Sequence, residues 1–165
     1  MKLYILRHAN AEERDEAEYP DDSLRPLSKQ GQKKMENIAA NLKGWGVGVD
    51  LILSSPYARA IETARIVAKA LGLKKKQLVL TESLTPSGLP KKLITEINKK
   101  YKVENLMLVG HEPYLSGLIS VLVAGDPSLP IIVKKGGFCR LSVDKLIYDR
   151  CATLEWLAAP VMLTH

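Results

Sequence analysis

Residues 51–72 read LILSSPYARAIETARIVAKALG. Leu51, Ile52 and Leu53 form an apolar run too short for a helix, which reads as a buried strand. Ser55 then reads as a helix N-cap with Pro56 at the first helical position, and Ile61, Ala64, Val67, Ala68 and Leu71 share one face until Gly72 ends the pattern. Strand, cap, amphipathic helix and glycine stop make one βα unit. A series of such units builds a parallel sheet with helices on both faces.

The alternation extends in both directions. Lys2 to Leu6 reads as a short buried strand, and residues 10–27, rich in acids and without period, read as a long loop over its end, a length that often carries function. Ser28 caps a helix whose Met35, Ile38, Ala39 and Leu42 face inward, and residues 44–48 end it. Gln77 to Thr81 is the third strand, followed by a Pro/Gly loop through Pro90 and a short helix bearing Leu93, Ile94 and Ile97. Leu106 to Val109 is the fourth strand; Pro113 opens a helix with Leu115, Leu118, Ile119 and Leu122 inward, and Gly125-Asp126-Pro127 closes it. Phe138 to Val143 and Cys151 to Leu157 read as two last strands joined by a charged turn, which adds an antiparallel edge. The expected fold is α/β and three-layered: a mostly parallel central sheet, helices on both faces and an antiparallel edge. No internal repeat or linker divides the chain.

The 165 residues amount to one domain of about 150. A chain of that size buries about 70% of its unfolded surface, enough for a core without staples. At 46% hydrophobic and 25% charged the composition is that of a globular protein and excludes disorder, collagen and coiled coil. The apolar run at Leu3 to Leu6 stops at Arg7 and His8, so neither a membrane span nor a signal-peptide core fits, and a cytoplasmic address is expected. Cys139 and Cys151 lack zinc-site spacing and read as buried thiols; neighbouring strands could bridge them, but a reducing compartment argues against it. The net charge of +6 sits partly in the runs at Lys74 to Lys76, Lys99-Lys100 and Lys134-Lys135, which read as solvated faces. With 5% aromatics scattered along the chain, a nucleic-acid partner is not expected.

Parallel sheets place their sites beyond the carboxyl ends of their strands. The first strand runs into Arg7-His8-Ala9-Asn10, the second into Ser54-Ser55-Pro56 with Arg59 one turn into the helix, and the fourth into Gly110-His111-Glu112-Pro113. The third histidine, His165, ends the chain and reads as a frayed tail. Singly, each of the others has an ordinary reading: an arginine in an ion pair, a surface helix charge, a histidine capping a loop. Jointly they put two histidines and two arginines at one sheet edge, a concentration of positive charge that packing gives no reason for. Forked guanidinium donors match phosphate oxygens, and a helix starting at Ser55 would aim its amides at the same anion. With no Walker loop and no carboxylate cluster for magnesium, the nucleophile is expected to be a side chain, and a neutral imidazole can attack phosphorus.

Leu6-Arg7-His8-Ala9, the run from Ser54 to Ala64, and Val109-Gly110-His111-Glu112-Pro113 resemble, in order and interval, the three signatures of the histidine phosphatase superfamily, the phosphoglycerate-mutase-like proteins. The short length, Arg25-Pro26-Leu27-Ser28 running into Gly31, and Thr85-Pro86-Ser87-Gly88 are similar to the SixA-type phosphohistidine phosphatases. The resemblance spans nearly the whole chain, with Ala9 where a glycine is commonest.

The resemblance implies that His8 is a nucleophile forming a transient phosphohistidine, that Arg7, Arg59 and His111 hold the phosphoryl oxygens, and that Asn10 adds a contact. Larger members use a glutamate after the third strand as proton donor, and Glu82 stands near that place; an exposed loop carboxylate is its equal alternative. An imidazole leaves phosphorus easily once protonated, so a site without a dedicated acid favours phosphohistidine. Residues 1–165 leave no room for the helical cap of relatives that bind small phosphates, and an open site suits a protein surface. The expected activity is a signalling hydrolase needing no metal or cofactor, acting on a phosphohistidine-bearing protein such as a histidine phosphotransfer domain. The alternatives are a small-molecule phosphomonoesterase and a phosphoprotein-binding module without turnover, which would need neither His8 nor His111. A mutase fits an uncapped site least.

Overall fold

A computed structural model describes residues 1–164. The strands are β1 (Lys2–Arg7), β2 (Leu51–Ser54), β3 (Leu78–Leu80), β4 (Asn105–Gly110), β5 (Phe138–Val143) and β6 (Ala152–Ala158). The helices are α1 (Lys29–Asn41), α2 (Ala58–Leu71), α3 (Pro90–Lys100) and α4 (Tyr114–Ala124). One six-stranded sheet runs in the order β3-β2-β4-β1-β5-β6; its first four strands are parallel, and β5 is antiparallel to both β1 and β6. The expected α/β architecture with its antiparallel edge is the one observed.

The middle strands are apolar on both faces, so each strand feeds two cores. Leu3 and Ile5 of β1 point to one side with Leu53, Leu106 and Leu108, under Leu93 and Ile97 of α3 and Leu115 and Leu118 of α4. Tyr4 and Leu6 point to the other with Ile52, Met107 and Val109, under Met35 and Ile38 of α1 and Ala60, Ala64 and Val67 of α2. Adjacent strands β1 and β4 therefore send their following helices to opposite faces. In open α/β sheets this reversal opens a crevice at the strand ends. The register pairs Arg7 with Gly110, so the next residues, His8 and His111, leave the sheet side by side.

Several boundaries differ from expectation. α2 begins at Ala58 with Tyr57 as a cap that makes no side-chain bond, so Ser55 and Pro56 lie before the helix and Arg59 is its second residue. Gln77 belongs to a 3-10 turn, and β3 shrinks to three residues. β1 and β4 each run one residue further toward the site, and β6 is shifted by one. Ser28 does cap α1, accepting from the Gly31 amide at 3.0 Å. Cys139 is buried on β5, whereas Cys151 is half-buried before β6, and both are free. Cys139 pairs with Leu157, at the far end of the ladder from Cys151, so no bridge can form. Among the described residues no helix is long and apolar enough to cross a membrane. The tail expected at His165 lies outside the described residues.

Candidate active site

Hydrogen bonds from four directions fix the end of β1. The His8 amide donates to Gly110 O at 3.1 Å, the Ala9 amide to Thr63 Oγ1 at 3.1 Å, and the Arg7 amide to Gly137 O at 3.0 Å. The Gly136 amide is shared between the carbonyls of Arg7 and His8, each at 3.1 Å. Asn10 is held from α1: its carbonyl accepts from the Ser28 amide at 3.0 Å. A Cβ on Gly31 would lie 1.9 Å from that carbonyl oxygen, so only glycine lets α1 come this close.

The two histidines are nearly sealed, at 6% exposure for His8 and 2% for His111, with ring centroids 5.1 Å apart. His8 Nδ1 lies 2.7 Å from Ala9 O. A carbonyl only accepts, so Nδ1 carries the proton and the lone pair is on Nε2. Burial drives the His8 ring down to about 3; the Ala9 bond opposes this, and the nearby charges of His111, Arg59 and Arg7 add to it. Burial likewise takes His111 to about 3, with Arg59 next in effect. Both rings are neutral at physiological pH.

Ser55 is buried, and its hydroxyl meets His111 Nε2 at 2.8 Å while accepting from the Tyr57 amide at 3.3 Å in the turn before α2. Tyr57 lies edge-on to His111 with centroids 5.1 Å apart, and the Arg59 guanidinium lies 5.1 Å from the Tyr57 ring centre. Arg59 is 5% exposed. Arg7 donates one terminal nitrogen to Val133 O at 2.8 Å. Burial lowers both guanidinium pKa values from the ordinary range, with Glu112 opposing it at Arg7 and Asp22 at Arg59. Three buried polar nitrogens, Arg7 Nε, Arg59 Nε and His111 Nδ1, have no hydrogen-bond partner among the described residues. Buried polar groups are normally satisfied, so three orphans around one ring pair mark a place for an anion.

The structure thus gathers Arg7, His8, Arg59 and His111. Asn10 reaches the same edge through a neighbouring cleft, its Oδ1 accepting from Lys34 Nζ at 3.4 Å. Glu82 does not join them. It is exposed in a one-turn 3-10 helix and lines a separate cleft of about 330 Å³ with Ser83, Thr85, Ser87, Gly88 and Lys92. Asp22 was not expected at the site. Its carbonyl and carboxylate accept from the two terminal nitrogens of Arg59 at 2.9 and 3.0 Å, and Arg25 Nε bonds the same carboxylate at 2.9 Å. Burial alone would raise the Asp22 pKa, but Arg25 and Arg59 hold it below the ordinary range. The signal was the acid-rich loop after β1, since a buried arginine needs a counter-charge. Two other motif residues support the frame: Glu62 accepts from the Leu27 amide at 2.7 Å and Glu112 from the Ser116 amide at 2.9 Å.

The family model for the histidine phosphatase superfamily, branch 1, matches residues 3–85. Across 166 aligned residues the chain is 30% identical to the phosphohistidine phosphatase SixA of Escherichia coli, covering 99% of this chain and 96% of that one. It is 31% identical to an uncharacterized Picosynechococcus protein over 86% of this chain and 84% of the relative. A solved structure of the protein histidine phosphatase SixA complexed with tungstate superposes with a TM-score of 0.81 at 26% identity, covering 99% of both chains.

Proposed function

The chain belongs to the histidine phosphatase superfamily, and on that premise we propose that it removes phosphate from a histidine of a partner protein through a transient phosphohistidine on His8. In the first step the His8 Nε2 lone pair bonds to phosphorus as the substrate's phosphorus–nitrogen bond breaks, and the released imidazole takes a proton from solvent. In the second, water adds its oxygen to phosphorus and returns a proton to solvent, the bond to Nε2 breaks, and inorganic phosphate leaves. Arg7 and Arg59 face the charge on the phosphoryl oxygens. A Ser55 hydroxyl donating to Nε2 keeps the His111 proton on Nδ1, where it adds a third donor. Asn10 contributes at the edge.

The observation that carries this reading is the set of orphaned donors around a histidine with a free Nε2 lone pair. Fixed donors in a dry site stabilise developing charge without reorganising, which two guanidiniums accomplish with no metal or cofactor. The exposed Glu82, outside this group, leaves the site without a dedicated acid, and of the substrates considered phosphohistidine needs one least. The similarity to SixA points to the same substrate class. The reading takes residues 1–165 as one domain with no helical cap, working in the cytoplasm.

The test is acid-quenched turnover on a phosphorylated histidine phosphotransfer domain, beside p-nitrophenyl phosphate. An acid-labile phosphoenzyme should form on His8 and vanish in His8→Ala. Label on another residue, or turnover surviving in that variant, refutes the mechanism. Faster turnover of the aryl ester than of the phosphodomain refutes the substrate class.

A further inference from the structure

A cleft of about 480 Å³ adjoins the site, lined by Arg7, Asn10, Lys34, Lys134, Lys135 and Val161 among others. Three lysines and an arginine face one space, and no carboxylate lines it among the described residues. The Lys134-Lys135 run is therefore more than a solvated face. Its turn closes through the Gly137 amide on Lys134 O at 2.6 Å, with Gly136 at φ +79, a left-handed value that favours glycine. Gly136 is bonded to the carbonyls of Arg7 and His8, and Arg7 to Val133 O. The positions of both lysines relative to His8 are thus set by backbone bonds, not by a free loop.

Around the lysines the surface is apolar and open: Ile132 is 74% exposed and Val161 and Met162 66% each. Across the site, by Arg59, the flank is acidic, because the loop that supplies Asp22 carries seven carboxylates between Glu12 and Asp22. The site therefore sits between a basic flank on the β5 side and an acidic flank on the α2 side. Apolar residues set among fixed charges are how protein interfaces are built, whereas a small anion has no use for the apolar rim. A nucleic acid would want aromatic platforms, and none lines the cleft.

Building on the protein-phosphohistidine reading, we propose that this cleft docks an acidic patch of the partner beside its phosphohistidine. The opposite acidic flank then fixes which way round the partner lies.

The test compares wild type with Lys134→Glu/Lys135→Glu and with a control of equal charge change, Lys75→Glu/Lys76→Glu. The control pair precedes β3 and so lies at the opposite end of the parallel sheet from the site. Substrates are a phosphorylated histidine phosphotransfer domain and p-nitrophenyl phosphate, across a salt series. The Lys134/Lys135 variant should lose about 10-fold or more in kcat/KM on the phosphodomain, through KM, with a flattened salt dependence, while keeping its rate on the aryl ester. The control should match wild type on both. Unchanged kcat/KM on the phosphodomain, or an equal loss on the aryl ester, overturns the docking role alone. A wild-type protein that turns over the aryl ester and leaves the phosphodomain intact overturns the substrate reading, and the docking role with it.

Discussion

Acidification from about pH 7.5 to about pH 5.5 should destabilise the protein by about 3 kcal/mol through His8 and His111 alone. Both rings lie at about 3 when folded, against an ordinary 6.5. Between those values the unfolded chain holds a proton on each ring that the folded chain lacks. Stability is therefore complete above the ordinary value and falls as the pH falls toward the folded one. One unit below the ordinary value each ring contributes a loss of about RT ln 11, or about 1.4 kcal/mol. Asp22, also lowered in the fold, loses its contribution below its ordinary 3.8 and so adds little in this window. Urea unfolding at the two pH values for wild type, His8→Asn and His111→Asn reads the effect, and each variant should lose about half of the pH dependence. Saturating vanadate should weaken it as well, because bound negative charge favours protonated rings. A wild type whose midpoint does not move, or variants that keep the full dependence, would refute the buried neutral pair.

Arg59→Ala should cost about 10² to 10³ in rate on every substrate, because a fixed donor is lost whatever the leaving group. Glu82→Gln should leave phosphohistidine hydrolysis unchanged; a loss as large as that of Arg59→Ala would make Glu82 a working acid. A chelator should not alter turnover and vanadate should inhibit strongly, as a mimic of five-coordinate phosphorus; loss with chelator and recovery with magnesium would reverse that view. Gly31→Ala should lower the melting temperature despite the better helix former, since a Cβ 1.9 Å from Asn10 O must push α1 or Asn10 aside at about 1 to 3 kcal/mol, and activity should fall with it.

The sheet was legible because its central strands are buried on both faces and stand out as short apolar runs between helical periods. The histidines and arginines were legible because neighbouring parallel strands end at the same edge and deliver their next residues there together. The start of α2 departs from its sequence pattern for a physical reason. Ser55-Pro56 has the form of a cap, but the Ser55 hydroxyl meets His111 at 2.8 Å and accepts the Tyr57 amide at 3.3 Å, so it closes a turn that precedes the helix and carries the site residue. Asp22 stayed hidden because one of seven loop acids pairs with an arginine 37 positions away, and composition cannot say which. Lys134 and Lys135 gain meaning only when the turn at Pro160 to Met162, some two dozen residues later, closes the cleft beside them.

The compensation of charge explains why the site is built from these groups. Folding buries the guanidiniums of Arg7 and Arg59, and Asp22 pairs with Arg59 and Arg25 but not with Arg7, which is left to a carbonyl and to the field of Glu112. Charged histidines would make the excess intolerable, and burial keeps both neutral. The result is a positive pocket with three unmet nitrogens, whose desolvation was already incurred on folding. A phosphoryl group arriving there meets donors that need not shed water or reorient, so its binding and the build-up of charge at phosphorus draw on the same fixed field. The neutrality that limits the electrostatic cost of the fold also leaves His8 Nε2 with the lone pair that the proposed reaction requires, so on that proposal one set of burials serves both stability and reaction.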